Sequence, residues 1–258
     1  MAGRFSFEVV DAAAYDDLRP DYAWEAIDMV VSRASLDPTS VVVDLAAGTG
    51  QLSRRFLTRG VGVVAVEPAA NMRAVLVERL PAVRALGGCA ESIPLDDGSV
   101  DVVVVGNAFH HFDRDLAFAE IDRVLRPGGA LALFWAWPLE DQRAATPGVR
   151  EIDEVVEAVR ASNEIVTAYR AWRDPPSAAD GFGPFERSEF RVTHVIPSAR
   201  LADLYATSSD VSSLPADVRV DLLDRIRKLS RSLPEMLQLP ARTVVDLCMR
   251  TGRSSVLR

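Results

Sequence analysis

The sequence predicts an α/β fold built on a doubly wound, mostly parallel sheet, and three observations carry that expectation. Residues 41–50, VVVDLAAGTG, pass from a Val-rich run through Asp44 to Gly48 and Gly50, and a helical pattern begins at Gln51. A strand buried on both faces reads as such a run. A second run, VGVVAVE, follows and ends in Glu67. Beyond it, strand-like and helix-like segments keep alternating as far as Trp135, the rhythm of βαβ units sharing one sheet.

Taken in order, residues 1–20 are mixed in character and are expected to form a mobile arm. From Asp21 to Ala34, apolar Trp24, Ile27, Val30 and Val31 recur at helical spacing. Strand 41–45, helix 51–59, strand 61–67 and helix 69–79 make a first βαβα unit. A short strand near Val83–Leu86 leads into Cys89-Ala90-Glu91. SVDVVVVGN is the fourth strand, set off by the turn Asp96-Asp97-Gly98. Helix 114–125 is stopped by Arg126-Pro127-Gly128-Gly129, and Ala130–Trp135 makes the fifth strand. Past Pro138 the rhythm changes. Residues 147–172 read as a long amphipathic helix carrying Ile152, Val155, Val156, Val159, Ile165, Val166 and Tyr169, and RDPPSAADGFGP breaks it. Strand 185–196, helices near 200–208 and 215–231, and a last strand TVVDLCM complete the chain.

Composition narrows the function. The chain has 258 residues and a formal charge of −8, with no basic block, which argues against nucleic acid as the main substrate. Cys89 and Cys248 form no spaced metal motif and read as reduced thiols of a cytoplasmic protein. The beginning MAGRFSFEVVDAAAY lacks an apolar signal core, and no apolar run nears the ~20 residues that span a bilayer. Neither a membrane nor a metal is expected as a partner, and nothing in the sequence indicates the oligomeric state.

The glycines let the backbone turn sharply and approach a ligand. Glu67 follows them by about 20 residues, where a carboxylate can accept both hydroxyls of a ribose. Together they point to a nucleoside-containing cofactor. Asp44-Leu45-Ala46-Ala47-Gly48-Thr49-Gly50 resembles the first motif of the class I S-adenosylmethionine-dependent methyltransferases, type 11 domain group, with Ala46 where the family has a first glycine. The resemblance implies a Rossmann-like seven-stranded sheet with the last strand antiparallel. It implies one methyltransferase domain over residues 1–258, with an arm and helix (1–35) over the cofactor and a helical substrate-side insert at 138–183. S-adenosyl-L-methionine is the implied cofactor, and a small molecule the implied methyl acceptor.

Within that frame, Asp44 is expected to hold the turn and the amino-acid end of the cofactor, or simply to cap helix 51–59. Ala46, Gly48, Gly50 and Gln51 would form the turn around the cofactor, and Glu67, with Pro68 and Met72 after it, the ribose side. Ala90-Glu91-Ser92 resembles the adenine-recognising stretch, although Cys89 stands where many relatives have an acid; a surface Glu in a loop is the alternative. Asn107-Ala108-Phe109-His110-His111-Phe112 follows the fourth strand, over the reactive end of the cofactor. His110 or His111 is a candidate general base or substrate donor, with cofactor packing or helix capping as the alternative. Tyr15-Asp-Asp-Leu-Arg19-Pro20-Asp-Tyr22 resembles an N-terminal signature that folds over the cofactor, with Tyr and Arg near its amino-acid end, where Arg19 can pair with a carboxylate; a solvated arm with a helix-entry proline is the alternative. Trp135, Trp137, Tyr169 and Trp172 fall on the substrate side, as pocket or as core.

Two other classes stay open on the residues alone. A nicotinamide-dependent oxidoreductase would want glycine at Ser53 and a Tyr-x-x-x-Lys pair, and has neither. A protein that binds the cofactor without transferring a methyl group is separated from an enzyme only by detecting the transfer.

Overall fold

A computed structural model describes residues 10–139, 148–160 and 179–252, together with residues 146 and 177. Seven strands form one sheet in the order β3-β2-β1-β4-β5-β7-β6. They are β1 (Val41–Leu45), β2 (Gly62–Val66), β3 (Arg84–Leu86), β4 (Val100–Gly106), β5 (Leu125–Pro138), β6 (Glu186–Pro197) and β7 (Met236–Met249). Strands β1 to β5 pair in parallel, and β7 runs antiparallel between β5 and β6. The antiparallel last strand is therefore as expected.

Helices cover both faces: α1 (Ala12–Leu18), α2 (Trp24–Arg33), α3 (Gln51–Thr58), α4 (Ala70–Arg79) and α5 (Arg114–Val124) in the first part of the chain. The later helices are α6 (Val149–Arg160), α7 (Leu201–Ala206), α8 (Ser209–Ser212) and α9 (Ala216–Ser230). The valines of β1 and β4 alternate between two cores. Val43, Val103 and Val105 pack with Phe118 and Ile121 of α5 on one face. Val42, Val102 and Val104 pack with Ile27 of α2 and Phe56 of α3 on the other. A third cluster lies beyond the sheet. It joins Leu18 of α1 to Ile152 of α6, Tyr205 of α7, Ile226 of α9 and Leu237 and Leu239 of β7.

Three expectations change. The arm from Asp11 to Leu18 is not a loose segment: α1 is capped by the Asp11 carboxylate, which accepts from the Ala14 N–H at 3.0 Å. Its Ala12 packs with Val10, Ala69 and Met72. Strand β5 begins at Leu125 rather than Ala130, and Arg126–Gly129, read as a helix stop, is an irregularity inside it, because pairing with β4 shifts register there. Strand β7 begins at Met236, seven residues before the sequence pattern shows it, because its first half pairs with β6 in a ribbon beyond the central sheet. Tyr169 and Trp172, and much of the expected insert, lie outside the described residues. Among those described, no helix is long and apolar enough to cross a membrane.

Candidate functional site

Strand order reverses between β1 and β4, and ligands of doubly wound sheets bind beyond the carboxyl ends of the strands at such a point. A narrow cleft opens there, lined by Tyr15, Tyr22, Asp44, Ala46, Gly48, Thr49, Gln51, Leu52 and Gly106, with Ala47. Five of the expected residues thus meet in one place: Tyr15, Asp44, Ala46, Gly48 and Gln51.

The turn that forms the cleft floor is left-handed at three points. Ala46 has φ 56°, Gly48 57° and Gly50 90°. Ala46 occupies a conformation that costs a residue with a Cβ roughly 1–2 kcal/mol, which gives a physical reason for glycine at this place in the family motif. Gly50 is required for packing: a Cβ there would lie 2.8 Å from Leu80 Cδ1 and 3.0 Å from Leu76 Cγ. Gly106 is the close approach on the opposite wall, where a Cβ would sit 2.5 Å from the Tyr22 hydroxyl.

Two buried carboxylates brace this turn. Asp44 Oδ2 accepts from the Ser53 N–H at 2.9 Å and the Ser53 hydroxyl at 2.7 Å, holding the first turn of α3. The helix-holding alternative is therefore realised in Asp44, while the residue still reaches the cleft wall. Burial pushes its carboxyl up to about 6 against those hydrogen bonds, and the Glu67 charge adds to the shift. Glu67 Oε2 accepts from the Gly48 N–H and Oε1 from the Ala69 N–H, each at 2.8 Å. The carboxylate thus also has a structural purpose, since it ties the glycine turn to the start of α4. Burial raises its carboxyl too.

The other expected residues do not line the cleft. Pro68 is exposed beside Glu67, and Met72 is buried beneath α1. The Arg19 guanidinium donates to the Thr207 carbonyl at 2.8 Å, while its own carbonyl accepts from Gln51 Nε2 at 3.4 Å. Ala90 is buried in the core, and Glu91 accepts from the Asp113 N–H at 2.9 Å, at the start of α5. Ala108 is partly buried against the same core. Asn107, at φ 52°, donates to the Tyr22 hydroxyl at 3.0 Å and accepts from the Ala136 N–H at 2.9 Å. It ties the cleft wall to β5.

His110 and His111 occupy a single helical turn, Phe109–His111, directly after β4. Their rings lie 3.9 Å apart, and His110 is 5.9 Å from Trp135, which stacks with Trp137 at 6.0 Å. Burial, with the neighbouring His111, pushes His110 down to about 3, and burial also lowers His111. Both imidazoles are neutral near pH 7. Trp135 Nε1 donates at 3.2 Å to Asp246, a wholly buried carboxylate also held by Arg187 at 2.7 and 2.8 Å.

Sequence reasoning missed Tyr22, Ala47, Thr49, Leu52 and Gly106 as cleft residues. Thr49 lies inside the motif itself, and its buried hydroxyl has no hydrogen-bond partner among the described residues. A polar ligand in the cleft would satisfy it. Tyr22 ends the signature stretch that begins at Tyr15, but its place in the cleft wall beside Gly106 is set by tertiary packing. Among the described residues no group of three His, Cys, Asp or Glu side chains comes together to hold a metal.

Comparison with known proteins agrees with this geometry. The family model described as a methyltransferase domain matches residues 43–133, which run from β1 into β5. An uncharacterised methyltransferase of Mycobacterium tuberculosis (strain ATCC 25618 / H37Rv) is 39% identical over 242 residues, covering 92% of this chain and 91% of that protein. An uncharacterised methyltransferase-like protein of Schizosaccharomyces pombe is 26% identical over 242 residues, 93% of this chain and 91% of its own. In fold, the chain is similar to a solved structure from Anaeromyxobacter dehalogenans described as a type II methyltransferase. That likeness has a TM-score of 0.54 and 24% identity, over 92% of this chain and 98% of the other.

Proposed function

The chain belongs to the class I S-adenosylmethionine-dependent methyltransferases, and from that premise we propose that it binds S-adenosyl-L-methionine between β1 and β4 and methylates a small molecule. The observation that carries the reading is the cleft itself. The left-handed turn, the Asp44 carboxylate, the unsatisfied Thr49 hydroxyl and two tyrosines converge at the switch point of the sheet. These residues fit a ligand that is polar, partly cationic and approached closely by backbone. When bound, the cofactor supplies a methyl group on a positively charged sulfur.

The protein's part is to align, to exclude water and to accept a proton where the acceptor must lose one. Asp44 and Gln51 take the cofactor's amino-acid end, with Tyr15 closing over it. Glu67 takes the ribose on the lone pairs its two backbone hydrogen bonds leave free, since each carboxylate oxygen accepts more than one. Ala90, Glu91, Asn107 and Ala108 flank the base and the reactive end. Of the imidazoles, His111 is the better proton acceptor. A group held near 3, like His110, binds a proton too weakly at neutral pH to serve as an efficient base. His110 instead packs His111 against Trp135. The formal charge of −8 and two free thiols support a small acceptor and a cytoplasmic setting.

Calorimetry should show micromolar-range binding of S-adenosylmethionine and much weaker binding of NAD. A screen of labelled methyl transfer to metabolite pools should find an acceptor. Binding without any transfer would leave a cofactor-binding protein, and no binding would overturn the reading. The pH dependence follows from Asp44. Below about pH 6 its carboxyl is protonated in the free protein, and a cationic ligand must expel that proton. Affinity should therefore fall as pH drops through about 6 and level off above it, a slope that Asp44→Asn should flatten.

A further inference from the structure

The helix that starts at the glycine turn and the helix that starts after Glu67 share one peculiarity. Three of their four arginines turn toward the N-terminal arm, while Arg73 of α4 donates to the Glu67 and Pro68 carbonyls. Arg55 of α3 meets Asp21 at 2.9 Å, and Arg54 lies 3.7 Å from both Asp21 and Asp16. Arg79, the last residue of α4, meets Asp17 at 3.0 Å and Asp16 at 3.4 Å. Arg55 also stacks 3.9 Å over the Trp24 ring. The acids come from one stretch, Tyr15–Tyr22, whose two tyrosines line the cleft. The arm is thus fastened to α3, whose first residues Gln51 and Leu52 line the cleft, and to α4 beside it.

Asp16 differs from its neighbours. Its side chain is 2% exposed, whereas those of Asp17 and Asp21 are about half exposed. Withdrawing a carboxylate from water is costly unless it is paired and hydrogen-bonded. Here Oδ1 has no hydrogen-bond partner among the described residues, and Oδ2 faces two guanidiniums, at 3.7 and 3.4 Å, in ion pairs that form no hydrogen bond. An apolar residue would fill the place without that penalty. What charge adds is a hold that is long in range, undemanding in direction and reversible. Both arginines keep about two fifths of their side-chain surface in water, so salt can reach the clasp.

We propose that Asp16 is a positioning residue: through Arg54 and Arg79 it holds the arm, and with it Tyr15, closed over the cleft and so sets how long the cofactor stays. The clasp stands on the geometry of the arm alone, and its effect on residence time rests on the cofactor reading above. It predicts that the arm loosens with ionic strength while the sheet does not.

Hydrogen exchange on the full chain tests the clasp without any ligand. Between about 0.02 M and about 0.5 M salt, amides of α1 should exchange roughly threefold to tenfold faster, the scale of a few partly exposed ion pairs, with those of β1 and β4 unchanged. Arg79→Gln should reproduce the fast exchange at low salt, and Arg79→Lys should largely restore the slow one. Asp16→Asn, nearly the same shape without charge, should behave like Arg79→Gln. Stopped-flow release of S-adenosylhomocysteine should quicken in parallel with exchange. Exchange indifferent to both salt and Arg79→Gln would overturn the clasp. Release indifferent to salt while exchange responds would overturn its control of the cofactor. Failure of S-adenosylhomocysteine to bind while exchange still responds would instead refute the cofactor reading and leave the clasp standing.

Discussion

Glu67→Ala is expected to weaken S-adenosylmethionine binding by about 1.5–3 kcal/mol, the scale of hydrogen bonds to a charged group. That corresponds to roughly tenfold to a hundredfold in affinity. The substitution does two things at once. It removes the carboxylate proposed to meet the ribose, and it leaves the Gly48 and Ala69 N–H groups without the acceptor that now joins them. Calorimetry must therefore be paired with thermal unfolding. Lower affinity with a folded sheet places Glu67 on the ligand. Lower stability with unchanged affinity makes it a brace for the turn and nothing more. Glu67→Gln sharpens the distinction, because it keeps an acceptor oxygen but adds a donor where a ribose hydroxyl needs only acceptors.

Asp246→Ala should be the most destabilising single change, costing about 3–5 kcal/mol, the range found when one partner of a buried ion pair is removed. Asp246 is wholly buried between β5 and β6 and takes three hydrogen bonds, two from Arg187 and one from the Trp135 indole. Its loss leaves a partly buried guanidinium and a buried indole N–H without their shared acceptor. The paired replacement Asp246→Leu with Arg187→Met should recover most of the loss, since two well-packed apolar groups often match a buried pair. Urea unfolding of the two variants decides it. A paired variant no more stable than Asp246→Ala would mean that packing at this register, rather than the unpaired charge, is what the site requires. Because Trp135 packs against His110, Asp246→Ala should also disturb the histidine tract.

Much of this architecture was legible because it is local. Strand β1 as read, 41–45, coincides with the strand observed; β2 and β4 are shorter than their readings by a residue at each end, and α3 and α4 by a residue at one end. An apolar run buried on both faces and a glycine turn carry their own signatures within ten residues. What was illegible depends on partners far along the chain. The seven residues of α1 are too few to hold a helix alone and are held by Met72 and the arginines of α3 and α4. The early starts of β5 and β7 have no periodicity of their own, because the irregular stretch at Arg126–Gly129 is paid for by β4 and the ribbon by β6.

The site divides along the same line. The sequence by itself determined the family, the order of the parallel units and the residues of the turn, since motif and spacing lie within one βαβ segment. It placed Asp44, Gly48, Gln51 and Tyr15 near one ligand, and the structure gathers them in one cleft. Only the tertiary structure decided what those residues already hold. Asp44 carries the first turn of α3, Glu67 the glycine turn, and Glu91 the start of α5. It alone showed that burial lowers both imidazoles and that Tyr22 and Thr49 belong to the cleft. The physical reason is that propensity and apolar periodicity are properties of neighbours in sequence. Burial, and with it the charge state and hydrogen bonding of every polar group in the site, is a property of neighbours in space.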